Sequence, residues 1–148
     1  MTRDKKNYRI AHLLASFIVA AVLLSGVGKI LHPADFALAV YRFHLLPDFM
    51  VNMVSLYFQW LEVVCAVGLL FIPKYRVAAL WIALGLFALF AGGIAINLLR
   101  GSPFSCGCFG HSPLAPPMNG LGVARNLALM AICTLGIVAK KRQESTER

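Results

Sequence analysis

Two cysteines separated by one glycine are the residues of this sequence best suited to chemistry. Cys106, Gly107 and Cys108 lie between Phe104 and Phe109. Such a pair can close a small, strained disulfide ring, because glycine tolerates backbone angles that other residues avoid. Strain makes a disulfide easier to reduce and suits it to exchange with other thiols. The spacing therefore predicts a redox pair, with Cys106 and Cys108 as its reactive residues.

Three alternatives to redox exchange stay open for this pair. Together with His111 it forms the pattern C-x-C-x-x-H, and thiolate and imidazole ligands suit zinc or copper(I). The two cysteines could instead hold a turn together, or each could bond to another chain. Beside thiol exchange, the residues thus allow a metal-handling membrane protein or an assembly subunit without chemistry of its own.

A second group of candidates consists of polar residues that interrupt long apolar segments. They are Lys29, Glu62, Asn97, Arg125 and Asn126. Ionisable groups inside a membrane are costly, so each is a functional candidate. We expect the basic and amide groups to line a pocket below the cysteines, where positive charge raises the thiolate fraction or holds a polar cofactor head, and Glu62 to handle protons. The structural alternative is that Glu62 pairs with Lys29 or Arg125 and only fixes the helix register.

The other two cysteines predict no chemistry. Cys65 and Cys133 lie inside apolar segments, about 12 or more helical residues from the cysteine loop, which is about 18 Å at 1.5 Å per residue. They cannot reach Cys106 or Cys108. A cysteine in apolar surroundings behaves as a small hydrophobic residue, and that is the role we expect for both.

The elements that must position these residues are membrane-spanning helices. Of the 148 residues, 59% are hydrophobic and 14% charged, against about 25% charged in soluble domains. About 20 apolar residues suffice for a helix to cross a bilayer. The sequence predicts an all-α, four-helix membrane bundle that forms a single domain, 1–148, in a lipid bilayer, with spans at about 10–30, 53–72, 77–99 and 120–139.

The distribution of lysine and arginine predicts the orientation of these spans. Ten of them flank one side of the predicted spans and four flank the other. Short cytoplasmic segments carry the excess of positive charge, so both termini are predicted to be cytoplasmic. The Cys106–Cys108 loop then lies outside, in the periplasm if the membrane is a bacterial inner membrane, where disulfides persist. Because the basic residues flank the spans, the net charge of +8 does not indicate a nucleic-acid partner.

Two further patterns concern packing. After Pro33, Phe36 and Val40 begin an apolar repeat at helical spacing that Pro47 ends. This predicts a short amphipathic helix on the outer surface of the bilayer, as a cap or a lid of the bundle. Small residues predict close helix contacts in the first and third spans: Ala11, Ala15, Gly26, Gly28, Ala88, Ala91, Gly92 and Ala95.

Several of these segments together resemble the MauE family, the methylamine-utilisation membrane proteins related to the DoxX group. The resemblance covers nearly the whole chain in the right order, and the cysteine loop with its asparagine–arginine–glycine lead-in is its most specific part. The segments are Ser25-Gly26-Val27-Gly28-Lys29, His32-Pro33-Ala34-Asp35-Phe36, Trp60-Leu61-Glu62 with Gly68, Ile96-Asn97-Leu98-Leu99-Arg100-Gly101, Cys106-Gly107-Cys108-Phe109-Gly110 and Arg125-Asn126-Leu127.

The resemblance implies a four-helix membrane component of extracytoplasmic thiol handling. Members of this family are associated with maturation of the disulfide-rich small subunit of methylamine dehydrogenase, often beside a thioredoxin-like partner. The architecture is also similar to quinone-coupled disulfide-forming membrane proteins, which suggests a quinone as cofactor. Those proteins carry a C-x-x-C pair and usually a second loop pair, whereas this chain has neither. The electron carrier, the direction of electron flow, the client and enzymatic turnover therefore stay open.

Overall fold

The structure, a computed structural model, is built of helices throughout its regular parts. It describes residues 2–25, 27, 30, 33–42, 47–101 and 120–145, and no strand occurs among them. The helices are α1 (Thr2–Ser25), α2 (Pro33–Arg42), α3 (Asp48–Phe71), α4 (Arg76–Leu99) and α5 (Gly120–Ser145), with a 3₁₀ turn at Pro73–Tyr75.

Four stretches of these helices are long and apolar enough to cross a membrane, as the sequence predicts. They are Lys6–Leu24, Asp48–Phe71, Pro73–Leu99 and Gly120–Ser145. Large apolar side chains remain exposed at helical spacing on the outward face of α3. They are Phe49, Met53, Trp60, Val64 and Phe71. Such a surface suits contact with the lipid of a bilayer.

The helix ends differ from the predicted spans because hydropathy marks the edge of the bilayer and not the end of a helix. α3 begins at Asp48, right after Pro47, five residues before the predicted span. α5 continues to Ser145, where Lys140 and Glu144 form a 3.4 Å ion pair one turn apart. Charged residues of opposite sign at this spacing support a helix beyond the membrane.

The four long helices form a square. α1 packs against α3 and α5, and α4 also packs against α3 and α5, whereas α3 and α5 face each other diagonally without backbone contact. Spans that follow one another alternate in direction, so the bundle has two distinct ends. We call the end with Thr2, the Pro73–Tyr75 turn and Ser145 the basic end, and the end with Asp48, Leu99 and Gly120 the loop end.

Three helices approach one another closely in the basic half, at Gly136 of α5. A Cβ at this glycine would stand 2.9 Å from Ala15 Cβ and 3.1 Å from Leu80 Cδ1. Only a glycine allows α1, α4 and α5 to meet at this distance. The prediction of close contacts is confirmed for Ala15 and Ala91, which are buried.

The same prediction is wrong for three other small residues. Ala11 and Ala88 are exposed, and a Cβ at Gly92 would meet nothing within 4 Å. These residues lie on the outward faces of α1 and α4, where a small side chain borders lipid and no neighbouring helix. Helical spacing alone does not tell the inward face of an all-apolar helix from its outward face. Gly26 and Gly28 lie outside the described residues.

The amphipathic helix between the first two spans is confirmed as α2. It packs against α3 and places the buried Phe36 edge-to-face with Phe90 of α4, at a centroid distance of 6.5 Å. Phe90 precedes the end of α4 by nine residues, which is about 14 Å of helix. α2 therefore reaches into the side of the bundle below the loop end, and Phe36 anchors it there.

Candidate functional site

The structure describes four of the predicted site residues, namely Glu62, Asn97, Arg125 and Asn126. The other four lie outside the described residues: Lys29, Cys106, Cys108 and His111. The described part of the candidate site is therefore the interior of the helix bundle.

A glycine turn fixes the point where the chain leaves the bundle towards this loop. The backbone N–H of Arg100 donates to the Ile96 carbonyl and that of Gly101 to the Leu98 carbonyl, both at 3.1 Å. Gly101 has a φ of 67°, a left-handed conformation that glycine adopts without strain. This turn ends α4 at the loop end.

Two buried asparagines lie in the loop half on neighbouring helices. Because α4 runs towards the loop end and α5 runs away from it, Asn97 lies one turn nearer the loop end than Gly93, and Asn126 lies one turn deeper than Gly122. The Asn97 amide donates to the Gly93 carbonyl at 3.1 Å, and the Asn126 amide donates to the Gly122 carbonyl at 2.9 Å. A Cβ at Gly122 would stand 3.7 Å from Ile94 Cδ1, so Gly122 and Gly93 lie at the same level. Both asparagines are almost fully buried, at 2% and 3% exposure.

Three polar residues of α3 face the bundle interior one below the other, from the loop half to the middle of the span. Ser55, Gln59 and Glu62 follow at helical spacing and are exposed by 2%, 1% and 4%. The Ser55 hydroxyl donates to the Val51 carbonyl. Phe58 lies beside Phe90 of α4, at a centroid distance of 6.2 Å. Since Phe58 and Phe90 are level, Ser55 is level with the turn of α4 that holds Ile94 and Gly93.

Five buried polar residues from three helices thus occupy the interior between the loop end and the middle of the bundle. We call them the polar layer: Ser55, Gln59, Glu62, Asn97 and Asn126. Polar groups in a low-dielectric interior are costly unless they are hydrogen-bonded. A set of amide, hydroxyl and carboxyl groups in such a place can hold the polar part of a ligand or pass protons.

Glu62 and Arg125 supply the ionisable groups of this region. Glu62 is the fifteenth of 24 residues in α3, so it lies near the middle of its span as predicted. Arg125 is half-buried on the diagonally opposite α5, next to Asn126. Glu62 and Arg125 each make polar interactions within the protein. Arg125 in the loop half and Glu62 at the middle of the bundle agree with either a structural charge pair or a functional one.

Ser55 and Gln59 were missed by the sequence analysis, which weighed ionisable residues first. Their signal was their spacing, because they precede Glu62 by seven and three residues on an otherwise apolar helix. A polar stripe of this kind marks the inward face of a membrane helix.

His12 was also missed, and it lies at the opposite end. It is buried on α1, and its Nδ1 donates to the Gly136 carbonyl at 3.0 Å. The Ser16 hydroxyl donates to the His12 carbonyl at 2.8 Å. The first of these bonds joins α1 to α5 in the basic half, away from the polar layer, and the second lies within α1.

The structure also places the two cysteines that predicted no chemistry. Cys65 and Cys133 carry free thiols and are buried among apolar side chains of the basic half, including Val19, Leu69 and Leu80. This surrounding is the one expected of small hydrophobic residues. Within the described ranges, no group of three or more histidine, cysteine or acidic residues could hold a metal ion. The metal-site alternative therefore depends on Cys106, Cys108 and His111 alone.

Comparisons with known proteins place this bundle in a family. A family model described as methylamine utilisation protein MauE matches residues 8–139. Three curated proteins named methylamine utilization protein MauE are similar. The protein of Paracoccus denitrificans is 36% identical over 120 residues, covering 80% of this chain and 63% of the relative. That of Methylophilus methylotrophus is 36% identical over 119 residues, covering 79% and 62%.

The third, from Methylorubrum extorquens, is 31% identical over 129 residues and covers 86% of this chain and 68% of the relative. The chain thus spans somewhat less than two thirds of the length of the first two relatives. No solved structure matches the chain. Since the family model covers most of the sequence and all three relatives carry the same name, this chain belongs to the MauE family of membrane proteins.

Proposed function

We propose that this protein is a membrane component of extracytoplasmic thiol–disulfide exchange, with Cys106 and Cys108 as the exchanging pair. The observation that carries the proposal is the polar layer between the middle of the bundle and the end where Gly101 releases the cysteine segment. Cys106 follows Gly101 by five residues, so the chain keeps it within about 18 Å of this glycine. The cysteine pair therefore belongs to the end of the bundle that has the polar interior.

The orientation of the bundle is part of the proposal. Ten lysine and arginine residues lie near the basic end and four near the loop end. By the positive-inside rule, the basic end and both termini face the cytoplasm of a bacterial cell. The loop end then faces the periplasm or the cell exterior, where a disulfide between Cys106 and Cys108 persists.

The exchange conserves atoms and electrons. A thiolate of a dithiol partner attacks one sulfur of the Cys106–Cys108 disulfide, forms a mixed disulfide and releases the other cysteine as a thiolate. The second partner thiolate then attacks the mixed disulfide, so the partner leaves as a disulfide and the pair is left reduced. Two electrons and two protons pass from the partner to this protein, and the reverse sequence reduces a partner disulfide.

The polar groups of the bundle support this exchange from below. Arg125 and Lys29 supply positive charge that favours a thiolate as the leaving group, and Asn97 and Asn126 shape the pocket. Glu62 takes up or returns protons. It lies about 10 Å of helix below Ser55, with Gln59 between them, so the three residues form a polar column along α3.

A quinone is the class of cofactor to which the reduced pair would pass electrons. A quinone head presents carbonyl oxygens, which amide and hydroxyl donors recognise. Asn97 and Asn126 are the described residues that fit it, because both are buried and each amide nitrogen has a second hydrogen besides the one that bonds to a backbone carbonyl. When bound, the quinone would accept two electrons and two protons.

The partner is proposed to be a thioredoxin-like protein or a disulfide-containing client outside the cytoplasm. The relatives are named for methylamine utilisation, and we extend this to the present chain as the process in which its client takes part. A client with many disulfides needs repeated exchange, which an exposed and strained pair provides.

The test compares the loop cysteines with the buried ones. Cys106→Ser and Cys108→Ser should each leave client thiols in the wrong redox state, and each should change the recovery of a mixed disulfide with the partner. Cys65→Ala and Cys133→Ala are the matched controls, because both thiols are buried and free. An unchanged client redox state in both loop variants would refute the proposal.

Labelling of intact cells with a membrane-impermeant maleimide tests the orientation in the same variants. Cys106 and Cys108 should react after reduction, whereas Cys65 and Cys133 should not. Labelling with and without quinone depletion reports the electron carrier, because the pair should accumulate in the reduced form when a required quinone is missing. Loop cysteines that are inaccessible from outside would refute the orientation.

A further inference from the structure

An open groove at the basic end separates α1 from the junction of α3 and α4. Its volume is about 280 Å³. Pockets that enclose a whole small molecule measure about 300–1,000 Å³, so this groove suits one segment of a longer ligand. Its wall is mostly apolar, with one hydroxyl and one cation: Leu13, Leu14, Ser16, Phe17, Leu69, Leu70 and Arg76.

The cation of this groove is held in place by backbone. The Arg76 Nε donates to the Leu69 carbonyl at 2.8 Å and one terminal nitrogen donates to the Leu70 carbonyl at 3.2 Å. A guanidinium has five N–H groups, so three are left for a ligand, and none of them has a partner within the described ranges. Arg76 is thus a fixed, half-buried donor with capacity for an anion.

The groove opens towards lipid. Leu14 and Phe17 form its outer wall and are exposed by 56% and 65% on the outward face of α1. Arg76 begins α4 directly after the turn that connects it to α3, at the end of both spans. The apolar wall therefore lies on the membrane side of Arg76. A phospholipid has the same arrangement, with its acyl tails in the membrane and its charged head group at the surface.

We propose that this groove binds an anionic phospholipid, with a phosphate oxygen on Arg76 and one acyl chain along the apolar wall. A guanidinium matches the geometry of a phosphate group and binds it through charge-assisted hydrogen bonds. A free phosphate could use Arg76 but not the wall formed by Leu13 and Phe17. The proposal is independent of the thiol exchange proposed above, because the groove lies at the opposite end of the bundle.

The experiment measures lipid binding to the whole chain in detergent. Native mass spectrometry counts retained lipids, and thermal unfolding is followed with added phosphatidylglycerol, phosphatidylcholine or glycerol phosphate. We expect phosphatidylglycerol to raise the melting temperature more than phosphatidylcholine does, and glycerol phosphate to have no effect. Arg76→Gln should bind phosphatidylglycerol roughly tenfold more weakly, the loss expected for a charge-assisted hydrogen bond.

Two pairs of variants separate lipid binding from a structural role of Arg76. Lys74→Gln removes an exposed cation outside the groove wall and should leave the phosphatidylglycerol effect intact. Leu13→Trp fills the groove but keeps Arg76, and it should also abolish the effect, whereas Ile82→Trp on the outward face of α4 should not. Equal stabilisation by both lipids, full retention in Arg76→Gln or Leu13→Trp, or an equal effect of glycerol phosphate would overturn the proposal.

Discussion

The two halves of this bundle use the same four helices in opposite ways. In the basic half, Leu69, Leu80 and Cys133 are completely or almost completely buried in an apolar core, and Gly136 brings three helices into close contact. Between the loop end and the middle of the bundle, the interior positions are occupied by the polar layer. Under the proposed function, close packing stabilises one half, and polar groups prepare the other half for thiol exchange.

The two halves also differ in the forces that hold their helices together in lipid. Lipid is as apolar as a leucine side chain, so membrane helices associate through close packing and interhelical hydrogen bonds. Gly136 and the bond from His12 to its carbonyl provide both in the basic half. The polar layer gains less from packing and contains the groups that are costly in a membrane. We therefore expect substitutions to separate into those that alter folding and those that alter exchange.

The largest effect is expected where a charge loses its partner. We expect Glu62 and Arg125 to compensate each other, because Glu62 is buried, the Nε atom of Arg125 is buried, and both residues make polar interactions within the protein. Arg125→Leu should then destabilise the protein by about 3 kcal/mol, the cost of an uncompensated buried charge. The double variant Glu62→Leu/Arg125→Leu should recover most of this loss. Thermal unfolding in detergent measures it, and additive losses would exclude the pair.

The second effect tests the packing of the basic half. Gly136→Val places a branched side chain against Ala15 and Leu80 and should cost about 2 kcal/mol through overpacking. Gly92→Val is the matched control on α4, since a Cβ there meets nothing within 4 Å. Unfolding of both variants under the same conditions measures the difference. Equal stability would mean that the contact at Gly136 relaxes without cost.

The third effect tests whether the polar layer serves function or folding. Asn97→Leu and Asn126→Leu each remove a bond to a carbonyl of the same helix, so the stability should change by less than about 1 kcal/mol. Thiol exchange at Cys106 and Cys108 should nevertheless slow roughly tenfold, which corresponds to about 1.4 kcal/mol in the barrier. The rate of thiol–disulfide exchange, measured on the folded variants, tests this expectation. Lower stability with normal exchange would assign the asparagines to folding.

The smallest effect concerns the hydrogen bond between α1 and α5. His12→Leu should cost about 0.6 kcal/mol, the average for interhelical hydrogen bonds in membranes. Thr134→Val is the matched control, because the Thr134 hydroxyl bonds only to the Ala131 carbonyl of its own helix. The unfolding midpoints of the two variants measure the difference in stability. A loss in the control as large as that in His12→Leu would contradict a specific role for the bond.

The architecture could be predicted from the sequence because it depends on long averages. Twenty apolar residues in a row mark a span whatever their order, and the four spans and α2 are confirmed. Helix ends were less predictable, since Asp48 and Lys140 lie outside the hydrophobic stretches but inside the helices. Local hydrogen bonds and ion pairs decide those ends, and hydropathy does not record them.

The candidate site was predicted only in part. Glu62, Asn97 and Asn126 stand out in apolar segments, and all three are buried in the bundle interior. Their positions relative to Ser55 follow from the way in which α3, α4 and α5 pack, which depends on contacts such as that between Gly122 and Ile94. Such contacts join residues far apart in the chain. The contact of Gly136 with Ala15 and Leu80 could not be predicted from the sequence for the same reason.

The bond from His12 to Gly136 also has a consequence for biosynthesis. α1 is made first and α5 last among these helices, yet the two are neighbours in the square. The imidazole of His12 therefore gains its acceptor only when α5 enters the membrane. A chain halted before α5 would contain only three spans, and the His12 imidazole would face lipid without the Gly136 carbonyl. Such an exposed polar group is a chemical feature by which quality control can distinguish unfinished chains from complete ones.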